Sequence, residues 1–265
     1  MGAALLGGLV KTGHPREKLI ATTASEERAA ALRALYPGVR VLAKGNEEAT
    51  RAADIVILGV KPFTVPKVVD EIAPFLREGQ VMISLAAALP MSVVEKRAGI
   101  PLAVFRAMPN IPVVVEEGAI ALCCNPHATV EQKAAVEKLF RAVGVVCFVE
   151  EEMMDAVTAL SGSGPAYVYM VIEAFIAGGV KMGLSREVST RLAEQTVLGA
   201  AKHVRQSGAH PAILRDEVIT PGGTTIVAIH ELERHGLRSM LISAIETATK
   251  HARERAAVLV RKLEE

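Results

Sequence analysis

Strand signals run through the first 150 residues of this chain and then stop, and nothing else in the sequence limits the fold as much. Short apolar runs at residues 18–22, 39–42, 54–60, 80–85, 102–105, 118–123 and 144–149 read as strands. Helical patterns separate them, at residues 1–12, 25–36 and 129–142 most clearly, with a short helix opening at Asn46. Thr129 and Gln132 have the spacing of a capping box at the start of the third of these. The run DIVILGV at 54–60 is the continuous apolar kind expected of a strand buried on both faces. Strands alternating with helices argue for βαβ units and a parallel sheet. Past Glu150 only helices are expected, over 151–160, 165–182, 185–206, 211–216, 224–234 and 237–262. The expected architecture is α/β: a Rossmann-like dinucleotide-binding domain at 1–150 and an all-α domain at 151–265.

An α/β half of this kind binds a dinucleotide across the carboxyl ends of its strands, using G-x-G-x-x-G between the first strand and first helix. Here only the last glycine of that pattern is found, as Gly2 in Met1-Gly2-Ala3-Ala4, and the helical run starts at once. Gly7 and Gly8 lie inside that run and cannot serve. The sequence therefore reads as starting at an internal methionine. About ten residues are expected upstream, an apolar strand followed by G-x-G-x. At the end of the next strand NAD enzymes carry an acid for the ribose diol. This chain has Ala21-Thr22-Thr23-Ala24-Ser25, hydroxyls that tolerate a 2′-phosphate, so NADPH is the expected cofactor, with NADH possible.

In the helical half, residues 216–233 read DEVITPGGTTIVAIHELE. Thr220-Pro221-Gly222-Gly223-Thr224-Thr225 is a turn at the mouth of an apolar helix. Its glycines and hydroxyls expose donors at the helix's positive end, where a substrate carboxylate fits, although an ordinary capped helix would look the same. A second punctuation, Ser161-Gly162-Ser163-Gly164-Pro165-Ala166-Tyr167, is expected to open another long helix.

These two stretches, with DAVT at 155–158, GGVKMG at 178–183, Val60-Lys61-Pro62 and Met108-Pro109-Asn110, resemble pyrroline-5-carboxylate reductase over nearly the whole chain. The resemblance implies NADPH-dependent reduction of the cyclic imine 1-pyrroline-5-carboxylate to L-proline, the last step of proline biosynthesis. It also implies a homodimer built on intertwined helices of the second domain, or a higher homo-oligomer up to a homodecamer. It places Gly2, Thr23, Asn46, Val60, Lys61, Pro62, Ala86 and Ala87 on the cofactor; where the family has glycine after that alanine pair, this chain has Ala88. Thr220 and the amides of Gly223 and Thr224 are the expected carboxylate ligands, and Thr225 is the expected hydroxyl beside the imine nitrogen. Such a site needs orientation, carboxylate binding and one proton donor.

Other chemistries fit less well. The chain is 51% hydrophobic, yet no unbroken apolar run reaches the roughly 18 residues of a membrane span, so a large buried interface is expected rather than a membrane. Thirty basic and 29 acidic residues are mixed along it, leaving no nucleic-acid footprint. Secretory targeting is not seen, and Cys123, Cys124 and Cys147 read as buried small hydrophobes of a reducing cytoplasm. His230 and His235 are five apart, about 140° round a helix, so no zinc helix and no metal site is expected. Two alternatives stay open. One is a related NADP-dependent imine or β-hydroxyacid reductase, which would place a catalytic lysine on a helix of the second domain. The other is a non-catalytic dimeric binding protein.

Overall fold

The structure, a computed structural model, describes residues 1–264. It divides into two compact units, Met1–Ser163 with Thr247–Glu265, and Gly164–Glu246.

The first unit opens with α1 (Gly2–Lys11), β1 (Ile20–Thr23), α2 (Glu26–Leu35), β2 (Arg40–Ala43), α3 (Asn46–Ala52) and β3 (Ile55–Leu58). It continues through α4 (Val65–Ile72), β4 (Val81–Ser84), α5 (Met91–Ala98), β5 (Ala103–Met108), β6 (Gly118–Cys124), α6 (Val130–Arg141), β7 (Gly144–Phe148) and α7 (Met154–Val157). Local chemistry sets several of these starts. Ser25 caps α2 by accepting from Arg28 N at 3.4 Å. Thr129 and Gln132 close both bonds of the capping box on α6, at 3.2 and 3.0 Å.

The strands form two sheets. β1 pairs with β2 in parallel, and the other five run in the order β3-β4-β5-β6-β7. The expected all-parallel arrangement fails at one place, because β6 runs antiparallel to β5. Only a short 3₁₀ turn, Ile111–Val115, joins these two strands, and a parallel return needs a crossover of about a dozen residues or more. The expectation that 54–60 is buried on both faces is also corrected. Ile55, Val56 and Ile57 are only half-buried, since β3 has a hydrogen-bonded neighbour on the β4 side alone. β4, inside the sheet, is buried throughout.

Side chains alternate across the five-stranded sheet with the period of two that a pleated strand imposes. Ile83, Phe105, Ala107 and Leu122 pack on one face with Leu5 and Leu9 of α1 and Val136 and Phe140 of α6. Met82, Val104, Ala121 and Cys123 pack on the other with Val65 and Val69 of α4 and Met91 and Val94 of α5. Leu259 and Leu263, near the chain's end, join that second cluster. Cys147 is exposed on β7, the outer strand, and Cys124 is half-buried, so only Cys123 fits the expected buried setting.

The second unit holds α8 (Gly164–Lys181), α9 (Arg186–Ser207), α10 (Pro211–Glu217), α11 (Thr224–Arg234) and the first part of α12 (Leu237–Glu264). A helix as apolar as α8 was expected to be buried all round, yet none of its residues is buried. Tyr169, Met170 and Phe175 are 57%, 69% and 50% exposed, so one copy of the chain does not supply the cover its composition calls for. By length and composition the helical stretch Glu151–Lys181 could cross a membrane, the one such stretch among the described residues, with Glu173 in its last third.

Candidate active site

In the first unit the loops at the carboxyl ends of the parallel strands collect most of the residues expected to hold a cofactor. α1 begins directly against the end of β3. A Cβ added to Gly2 would stand 3.5 Å from Gly59 Cα, and one added to Gly59 would stand 3.2 Å from Gly2 Cα. The two backbones pass with no side chain between them, and no side chain caps the α1 amides. A phosphate can approach such a bare helix start, so the residues present fit the pyrophosphate of a dinucleotide.

Thr23 ends β1, and its hydroxyl donates to Ser25 O at 2.8 Å. Asn46 begins α3 and donates from Nδ2 to both carboxylate oxygens of Glu71 on α4, at 3.2 Å each. Both side chains therefore keep acceptor lone pairs for a ribose, while their donors are engaged. Val60 and Lys61 are exposed beyond β3, and Lys61 O accepts from Thr64 N at 2.8 Å as Pro62 starts a 3₁₀ turn. Ala86 is buried after β4 and its amide donates to Ser84 Oγ at 3.3 Å. Ala87 is half-buried. Ala88 takes φ +61°, the left-handed region that glycine occupies freely and alanine at a cost of about 1–2 kcal/mol.

Asn110, to which the sequence reading gave no role, lies just past β5. It is 7% exposed, accepts from Ala119 N at 2.9 Å and donates to Ser161 O at 3.0 Å. Ser161 belongs to a π-helical turn, Thr158–Gly162, rather than to the break expected before α8. π-turns often mark functional sites. The turn packs closely on β5, since a Cβ on Gly162 would meet Met108 Cε at 2.7 Å. The hydroxyls of Thr158 and Ser161 are spent on the carbonyls of Met154 (2.8 Å) and Val157 (3.1 Å), four residues back.

In the second unit the turn before α11 is built by its glycines. Gly223 N donates to Thr220 O at 3.0 Å, closing a four-residue turn with Pro221 second and Gly222 third at φ +69°. Thr220 Oγ1 occupies the space beside Gly223, where a Cβ would stand only 2.2 Å from it. The expectation that Gly223 N–H is a free carboxylate donor is therefore corrected: it closes the turn. The donors left open are the amides of Thr224, Thr225 and Ile226 in the first turn of α11, which has no side-chain cap. Thr190 and Thr196 in α9 spend their hydroxyls on the carbonyls four residues back, at 2.9 and 2.7 Å. Four residues before Thr225 stands Pro221, in the turn and outside the helix. Among the described residues, the Thr225 hydroxyl has no hydrogen-bond partner.

Three shifted groups lie outside these loops, one being Glu131, whose carboxyl its own amide and the Thr129 hydroxyl hold below the usual range. Arg234 and His235 bond the Glu231 carboxylate and hold it below its usual range. Burial, with the Glu151 carboxylate adding to it, pushes the Cys123 thiol up to about 12. No group of three or more His, Cys, Asp or Glu among the described residues is placed to hold a metal ion.

Comparison with known proteins gives a consistent result. Residues 151–255 match the family described as pyrroline-5-carboxylate reductase dimerisation, and residues 1–88 match NADP oxidoreductase, coenzyme F420-dependent. The chain is 45% identical over 216 residues to pyrroline-5-carboxylate reductase 2 of Pongo abelii, covering 80% of this chain and 68% of that protein. It is 37% identical over 255 residues to pyrroline-5-carboxylate reductase of Pisum sativum, covering 96% and 92%. Among solved structures, the pyrroline-5-carboxylate reductase of Coxiella burnetii superposes with a TM-score of 0.90 at 35% identity, covering 96% and 94%. The Plasmodium falciparum pyrroline carboxylate reductase, solved with NADP bound, gives a TM-score of 0.85 at 32% identity, covering 97% and 94%.

Proposed function

The chain belongs to the pyrroline-5-carboxylate reductase family and is an NADP-using enzyme of that kind, and from that premise we propose how its own residues carry the reduction of 1-pyrroline-5-carboxylate to L-proline. We read residues 1–150 as the cofactor half and 151–265 as the half for substrate and dimerisation. Gly2 gives the pyrophosphate access to the α1 amides. Thr23 and Asn46 offer acceptors to the adenosine ribose. Val60, Lys61 and Pro62, with Ala86 and Ala87, line the nicotinamide end. When bound, the reduced nicotinamide supplies hydride.

The start of α11 takes the substrate. Amides of Thr224 and Thr225 receive the carboxylate, aided by the helix's positive end, and Thr220 shapes the turn that presents them. The Thr225 hydroxyl stands on that same turn and orients the protonated imine nitrogen or the water that protonates it. An unperturbed threonine is a poor acid, so orientation is its part. One observation carries this reading: Thr158, Thr190 and Thr196 spend their hydroxyls on carbonyls of their own helix, whereas Thr225, with Pro221 in the turn four residues before it, keeps both its proton and its lone pairs among the described residues. The test is reduction of 1-pyrroline-5-carboxylate by the purified chain, followed by oxidation of NADPH and by chromatographic detection of proline. NADPH oxidation without proline would refute it.

Exposure of α8 and the match of 151–255 to a dimerisation family support a homodimer in which the apolar helices of two copies cover one another. A cytoplasmic setting and higher homo-oligomers belong to the same reading.

A further inference from the structure

Lys44 stands where the adenosine end of the cofactor must be read, and it was not among the residues the sequence singled out. It is the first residue past β2, at the carboxyl end of the β1–β2 pair. Its amide donates to Thr23 O at 2.8 Å, holding it beside the Thr23–Ser25 corner. Its backbone lies at φ +54°, a region that lysine seldom adopts and that glycine would occupy without strain. The side chain is exposed and makes no ion pair among the described residues. Three nearby acids are matched within their own surroundings: Glu26 with Arg33, Glu48 with Arg40, and Glu47 with Arg51. At the same corner Ser25 Oγ accepts from Arg28 N and still has its proton to give. A cation without a counter-ion and a free hydroxyl donor suit a phosphate monoester, which carries close to two negative charges at neutral pH.

We propose that Lys44 is the residue by which this enzyme tells NADPH from NADH, its ammonium taking the 2′-phosphate of the adenosine ribose beside Thr23 and Ser25. This rests on the reductase reading, and the test separates the two. Calorimetric titration of the full chain with adenosine 2′,5′-bisphosphate and with AMP reads the phosphate site without nicotinamide or turnover. The unaltered chain binds the bisphosphate more tightly than AMP, and the gap narrows as salt is raised. Lys44→Gln cuts the bisphosphate-to-AMP affinity ratio about tenfold, and Lys44→Arg restores most of it. An unchanged ratio in Lys44→Gln, equal weakening of both probes, or no discrimination by the unaltered chain overturns the proposal. Loss of the ratio in Lys44→Gln upholds it even if the chain fails to make proline, a failure that counts against the reductase reading alone.

Discussion

Asn110 Nδ2 donates to the carbonyl oxygen of Ser161 at 3.0 Å, and it does so where the helix cannot. Four residues beyond Ser161 stands Pro165, which has no N–H to give, so the carbonyl loses its α-helical donor. A buried asparagine from the end of the sheet supplies one, and its own oxygen is satisfied by Ala119 N. Met108 and Asn110 on one side, and Ser161 and Gly162 on the other, far apart in sequence, thus meet within the first unit.

Asn110→Asp keeps the acceptor for Ala119 N but turns a carboxylate oxygen towards the Ser161 carbonyl. It is expected to cost about 1–3 kcal/mol, the penalty of a buried polar group left without its partner. Urea unfolding with an unchanged slope and a lowered midpoint is the expected result. A midpoint equal to that of the unaltered chain would show the bond to be energetically idle.

Gly223→Ala is expected to disturb the turn before α11, because the new Cβ would stand 2.2 Å from Thr220 Oγ1 and 3.1 Å from Thr220 O. The first amides of α11 then lose their aim, and KM for 1-pyrroline-5-carboxylate rises by about tenfold or more while KM for NADPH changes little. Thr224→Ala keeps the amide and is expected to leave KM within about twofold. Equal effects of both substitutions would remove the turn from substrate binding.

Met170→Glu places a charge on the exposed apolar face of α8. If that face is covered by a second copy, sedimentation shows a dimer for the unaltered chain and a monomer for the variant at the same concentration. A variant that stays dimeric would move the interface elsewhere.

The cysteines should separate by reactivity. Thiolate is the reacting form, and a pKa pushed up to about 12 leaves the Cys123 thiol protonated across neutral pH. Maleimide labelling of the native chain at pH 7–8 is expected at the exposed Cys147, and at Cys123 only after unfolding. Native labelling of Cys123 would contradict its burial.

Much of the fold was legible because strand and helix periods differ. The strands through Phe148, the capping box at Thr129 and the span of α11 follow from local pattern. What was not legible depends on pairing. Nothing local marks β6 as antiparallel or β3 as one-sided, since both are decided by which neighbour arrives. PGGTT was readable from its residue types as a turn at a helix start. That Gly223 spends its amide on Thr220 O, and that Lys44 takes a left-handed backbone, are consequences of three-dimensional closure. Asn110 could have been found from one signal: a proline placed to strip a helical carbonyl of its donor requires a donor from elsewhere.

Thr225 bears most directly on the proposed chemistry. The measurement is steady-state reduction of 1-pyrroline-5-carboxylate by Thr225→Ala, with Thr225→Ser beside it. If the hydroxyl orients the imine nitrogen or its water in the transition state, Thr225→Ala lowers kcat and kcat/KM together, by about a hundredfold or less, and Thr225→Ser recovers most of the loss. A raised KM with kcat intact would make Thr225 a binding residue and contradict the role assigned to it.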